Sequence, residues 1–177
     1  MRLGRLVLAS AMLSLAASTT PVRSLAASPN ATTVTYESPS VGRTLRCRVI
    51  LPADYEGSNR RYPVLYLLHG FSGDFTSWSK HGVEESVQGY PLIVVLPDGG
   101  NSWYVNWSET GPDRREAWED AQVKDLVGHV DAHYRTIASR EGRAINGLSM
   151  GGYGALTVGL RHPETFCSVG SSAGALG

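Results

Sequence analysis

The chain has 177 residues, 42% hydrophobic and 18% charged, with 16 basic and 16 acidic side chains and a formal net charge of zero. That length accommodates one ordinary domain, and that balance reads as globular and soluble. It argues against a polyanion as partner, because no basic excess or stripe exists to neutralise phosphates, and nucleic acid is not expected.

The N-terminus reads as a secretory signal spanning residues 1–27. Arg2 and Arg5 form a short positive segment, and Leu6 to Ala17 an apolar core too short to span a bilayer. Small residues at Ala16-Ala17-Ser18 and Leu25-Ala26-Ala27-Ser28 offer two cleavage sites. No cysteine follows the apolar core, so lipid attachment is not expected there. A secreted or periplasmic location follows, without stable membrane insertion once the signal is removed. Residues 28–177 then form the mature domain.

After a loose Ser/Thr/Ala/Pro-rich stretch, alternation begins. Val34 and Tyr36, then Leu45, Cys47, Val49 and Leu51, predict two antiparallel strands joined by Pro39-Ser40-Val41-Gly42. The runs Pro63 to Leu68 and Pro91 to Leu96 are apolar throughout, as in strands buried on both faces. Between 114 and 135 the period becomes helical, with Val123, Leu126, Val127, Val130 and Tyr134 on one face. A short strand at 143–148, a helix closed by Pro163, and a strand from Phe166 to Ser171 follow. Strands alternating with helices predict an α/β fold with a mostly parallel sheet and flanking helices. Cys47 and Cys167 fall on strands several positions apart, so two buried thiols are expected rather than a disulfide.

Gly147-Leu148-Ser149-Met150-Gly151 sits between the 143–148 strand and the following helix. A G-x-S-x-G in that context is a nucleophile elbow, the turn that exposes a reactive serine in an α/β-hydrolase. Ser149 is the candidate nucleophile, and the Met150 N–H one candidate oxyanion donor. The second donor is expected from the loop His69-Gly70-Phe71-Ser72-Gly73-Asp74, with the Phe71 N–H as candidate. Trp103 and Tyr104, with Trp107, follow a strand's carboxyl end and either line a substrate pocket or pack the core. The triad acid and histidine follow the serine in this fold. After Ser149 only Glu164 and His162 occur, in the wrong order, so the C-terminal part of a hydrolase is expected to be missing.

The segments Leu65-Tyr66-Leu67-Leu68-His69-Gly70, Trp78, Val95-Leu96-Pro97-Asp98-Gly99, Ser102-Trp103-Tyr104 and Gly147 to Gly152 resemble the putative-esterase family of α/β-hydrolases. That family includes esterase D/S-formylglutathione hydrolases, tributyrin and feruloyl esterases and the antigen 85 mycolyltransferases. The resemblance covers about residues 34–177. It implies a serine hydrolase or acyltransferase acting on small-molecule, lipid or carbohydrate esters, with Ser149 as nucleophile and Phe71 and Met150 as oxyanion hole. A non-catalytic fragment is the alternative from another class.

The remaining histidines offer weaker candidates. His69 lies in the oxyanion loop and is expected to be structural; His81 is expected to be solvated. His129 and His133 are spaced as in half a zinc site, but Val130 stands where a metalloprotease has glutamate, so no metal is expected. No organic cofactor is needed for the chemistry. Asp98 reads as a turn former before Gly99-Gly100.

Overall fold

The computed structural model describes residues 31–107 and 116–176. The expected signal peptide and the first two residues of the expected 114–135 helix lie outside them.

Six strands form one sheet: β1 (Ala31–Ser38), β2 (Arg43–Ile50), β3 (Val64–Leu68), β4 (Ile93–Pro97), β5 (Arg143–Gly147) and β6 (Ser168–Val169), in the spatial order β1-β2-β4-β3-β5-β6. β1 pairs antiparallel with β2, and β2 antiparallel with β4. The pairs β3–β4, β3–β5 and β5–β6 are parallel. The β1–β2 register sets Tyr36 opposite Leu45 and Val34 opposite Cys47, which places their apolar side chains on one face. β4 is buried along its whole length, as its unbroken apolar run requires.

Three helical pieces matter for the site. A short helix, α1 (Val83–Ser86), follows the loop after β3. A continuous helical run, here α2, is α-helical over Trp118–Asp120, widens to π geometry over Ala121–Leu126 and returns to α over Val127–His133. Helix α3 (Met150–Arg161) starts directly after Ser149. One sheet face packs Tyr66, Leu68, Val95 and Ile145 with Leu126, Val130, Met150, Ala155 and Val158. The other collects Ile50, Leu67, Val83, Val94 and Leu96.

Three expectations are corrected. The last strand spans only Ser168–Val169, because the chain beyond it is drawn towards the elbow: the Ser149 N–H donates to the Ser172 carbonyl at 3.0 Å. The 114–135 periodicity contains a π segment that the apolar spacing did not signal. Cys47 is fully buried, and burial pushes its thiol up to about 12, whereas Cys167 is exposed rather than buried. Cys167 flanks β6, which is the sheet edge among the described residues, so nothing covers it.

Candidate active site

Parallel strands β4, β3 and β5 are neighbours, so the loops at their carboxyl ends converge at one end of the sheet. The β5–α3 turn carries Ser149 with φ 55° and ψ −115°, a left-handed backbone that a non-glycine residue adopts only when its surroundings enforce it. The Gly151 N–H donates to Leu148 O at 2.8 Å and closes the turn. Glycine is required at both flanks. A methyl on Gly147 would lie 2.9 Å from Gly151 Cα, and one on Gly151 would lie 2.6 Å from the His69 carbonyl. The serine is exposed while the Met150 side chain anchors in the core. The Met150 N–H, first in its helix, has no acceptor among the described residues.

The loop after β3 lies against this turn. A methyl on Gly70 would come within 3.5 Å of Ser149 Cβ. Phe71 is 58% exposed, and its N–H also has no acceptor among the described residues. The loop is closed from behind: Gly73 N–H donates to Gly70 O at 3.1 Å, and Trp78 Nε1–H donates to Leu68 O at 3.0 Å. Asp74 accepts from the Thr76 hydroxyl and N–H at 2.6 and 2.7 Å, and these bonds hold its carboxyl below the usual carboxylate range.

The loop after β4 completes the rim. Trp103 and Tyr104 are both left-handed, with φ 59° and 58°. Ser102 Oγ–H donates to Gly99 O at 2.6 Å and accepts the Tyr104 N–H at 3.0 Å, which folds the pair into place. Their side chains then part. Tyr104 is fully buried, and its hydroxyl donates to His69 O at 3.1 Å. Burial also pushes that hydroxyl well above the usual tyrosine range. Of the two alternatives for Tyr104, it takes core packing. Trp103 stays at the rim, 6.5 Å from the Phe71 ring and edge-on at 5.6 Å to Tyr153. Phe71, Trp103 and Tyr153 thus form a partly exposed aromatic wall one helical turn from Ser149. Tyr153 escaped the sequence reading, though an aromatic four residues after an elbow serine points back over that turn. Trp107 is exposed and its Nε1–H donates to Ser102 O at 3.1 Å.

The histidines divide clearly. His69 is 1% exposed; its Nδ1–H donates to Gly70 O at 2.8 Å and its Nε2 accepts the Gly99 N–H at 2.9 Å. Asp98 accepts the Gly100 N–H at 3.2 Å, the turn role expected of it. His129 and His133 stack at 4.2 Å on α2. Among the described residues no group of three or more metal-ligating side chains assembles. His162, at the far end of α3, donates from Nε2 to the buried Glu119 at 2.8 Å, and Arg161 does so at the same distance. Glu119 is a structural anchor that no local sequence signal marked. His81 is exposed.

The sheet order, the elbow at the end of β5 and the convergent loops define an α/β-hydrolase. The family described as "Putative esterase" matches residues 38–177, and the chain belongs to it. The chain is 38% identical over 144 residues to "Esterase Rv1288" of Mycobacterium tuberculosis strain H37Rv, covering 78% of this chain and 31% of that protein. It is 33% identical over 145 residues to the endo-1,4-beta-xylanase/feruloyl esterase of Xylanibacter ruminicola, covering 75% and 20%. A solved ferulic acid esterase superposes with a TM-score of 0.70 at 30% identity, covering 81% of this chain and 59% of that one. The chain therefore spans about a third or less of the length of these two curated relatives.

Proposed function

We propose that the protein is a secreted serine hydrolase of carboxylic esters that works through a Ser149 acyl-enzyme. The observation that carries this is the meeting of three features at one point. A serine stands on an enforced left-handed turn, and two backbone N–H groups without acceptors among the described residues, Phe71 and Met150, belong to the two segments that touch there. In this reading Ser149 Oγ attacks the ester carbonyl carbon, and the tetrahedral oxygen takes the two N–H groups. The alcohol leaves with a proton, and water then releases the acid. Trp103, beside Phe71 and Tyr153, contacts the acyl or alcohol part of the substrate; Tyr104 supports it from below.

In this proposal none of the histidines among the described residues serves as the proton-relaying base. His69 has both ring nitrogens engaged, and His162 is tied to Glu119 at the opposite end of α3. We place the base and its acid in the part of the relatives' length that this chain does not span. The N-terminal Arg2, Arg5 and apolar core support export. N-terminal sequencing of the exported protein should find a start between Thr19 and Ser28. No helix among the described residues is long and apolar enough to cross a membrane.

The test is turnover of a p-nitrophenyl short-chain ester, with fluorophosphonate labelling, by the coding sequence extended to the relatives' length. Ser149→Ala should abolish labelling and lower kcat by roughly 1,000-fold or more. Labelling that survives the substitution refutes the assignment. Residues 1–177 alone should show little turnover, because a serine hydroxyl without its base is a weak nucleophile.

A further inference from the structure

We propose that the loop after β4 aims the Phe71 N–H at the developing oxyanion through two positioning residues, His69 and Asn101; this rests on the oxyanion-hole reading above. A peptide unit is planar, and its C=O and N–H point in opposite directions. Whatever holds the Gly70 carbonyl therefore holds the Phe71 N–H. That carbonyl accepts the His69 Nδ1–H at 2.8 Å and the Gly73 N–H at 3.1 Å. His69 is itself oriented from β4's loop, since its Nε2 accepts the Gly99 N–H at 2.9 Å. A backbone N–H can only donate, so Nε2 carries no proton and the ring is the Nδ1–H tautomer. The Tyr104 hydroxyl, from the same loop, holds the His69 carbonyl at 3.1 Å.

The next peptide unit is held as well. Ser72 is left-handed at φ 60°, and its N–H donates to Asn101 Oδ1 at 2.8 Å. Both planes flanking Phe71 are thus tied to residues 99–104, while the Phe71 N–H itself stays unpaired among the described residues. The bonds also run head to tail, from Gly99 N–H through the imidazole to Gly70 C=O and on to Phe71 N–H. Such a chain polarises its terminal donor when negative charge appears beyond it. His69 in this arrangement is not a base, because the nitrogen able to accept a proton already faces a backbone donor.

The experiment uses the enzyme extended to the relatives' length. Asparagine at 69 puts its amide near the place of Nδ1 and keeps a donor for Gly70. Glutamine reaches the place of Nε2 and keeps an acceptor for Gly99. We expect His69→Gln and Asn101→Ala to lower kcat by roughly 10- to 100-fold, the range set by losing part of one oxyanion donor, with KM nearly unchanged. His69→Asn should retain more of kcat than His69→Gln. Affinity for a trifluoromethyl ketone, whose adduct mimics the oxyanion, should fall in step with kcat. Long-range 15N–1H spectra of the wild-type protein should show His69 protonated on Nδ1. Unchanged kcat in Asn101→Ala and in folded His69→Gln, or an Nε2–H tautomer, overturns the proposal. Should the His69 variants not fold, Asn101→Ala decides it, because that side chain is exposed. Ester turnover indifferent to Ser149→Ala would instead sink the functional reading, and the tautomer spectrum would still judge the network.

Discussion

At Gly147 and Gly151 an added methyl would press into backbone, whereas at Gly42, Gly57 and Gly128 it would meet nothing within 4 Å. The first pair lets a strand, a helix and the neighbouring loop approach Ser149 more closely than any side chain allows. The second set serves turns or simply occurs, and Gly42 alone of the three uses a left-handed φ. The same contrast runs through the non-glycine backbone. Of the five left-handed non-glycine residues among those described, Ser72, Trp103, Tyr104 and Ser149 lie on the loops that meet at the site, and Ala173 lies in the segment hydrogen-bonded to the Ser149 backbone. Conformational cost is concentrated where close approach is needed and absent from the outer turns.

The contrast breaks most visibly at the elbow. Gly151→Ala should destabilise the fold by about 3 kcal/mol, since the methyl meets two carbonyl groups rather than a movable side chain. A denaturant melt with a midpoint near wild type would mean the approach of α3 to the end of β3 is looser than described. A second effect appears at alkaline pH. The buried Cys47 thiol is held up to about 12, against an ordinary 9.0. The unfolded chain therefore loses this proton first, and folding stability should fall as pH rises from about 9 towards 12. Cys47→Ala should flatten that part of the pH–stability curve. Cys167 provides the counterpart: iodoacetamide should modify it in the native protein and leave Cys47 untouched until unfolding, as read by mass spectrometry. The smallest effect is a gain. Gly128 lies within α2 with open space around it, so Gly128→Ala should stabilise by about 0.5–1 kcal/mol. A loss there would blur the distinction between the two sets of glycines.

What the sequence revealed and what it hid follow from the range of the interactions. The runs at Val64–Leu68 and Ile93–Pro97 announced buried parallel strands because both faces are covered, and the elbow carries its own local signature. The positions of Phe71 and Met150 followed from where such strands end. Asn101 and Glu119 were invisible because their partners, Ser72 and His162, lie 29 or more residues away along the chain, whereas Tyr153 had a local signal, its place four residues after Ser149, that went unused. The adjacency of β3 and β4 would have suggested the His69–Gly99 link, had the strand order been known. The π segment over Ala121–Leu126 left no trace in the apolar spacing, because only Val123 and Leu126 of that stripe fall within it.

The buried ring of Tyr104 has a consequence for how this sequence can change. A methyl on Gly99 would lie 2.5 Å from its Cζ, and one on Gly154 would lie 2.8 Å from its Cβ. One aromatic side chain thus fills the room left by two glycines on different elements, and its shape couples the three positions. Enlarging position 99 or 154 alone is a dead end, and shrinking position 104 alone opens a void. Only a paired change is passable, such as Gly154→Ala together with a smaller residue at 104. Its energy should fall short of the sum of the single losses, an epistasis written by the shape of one ring.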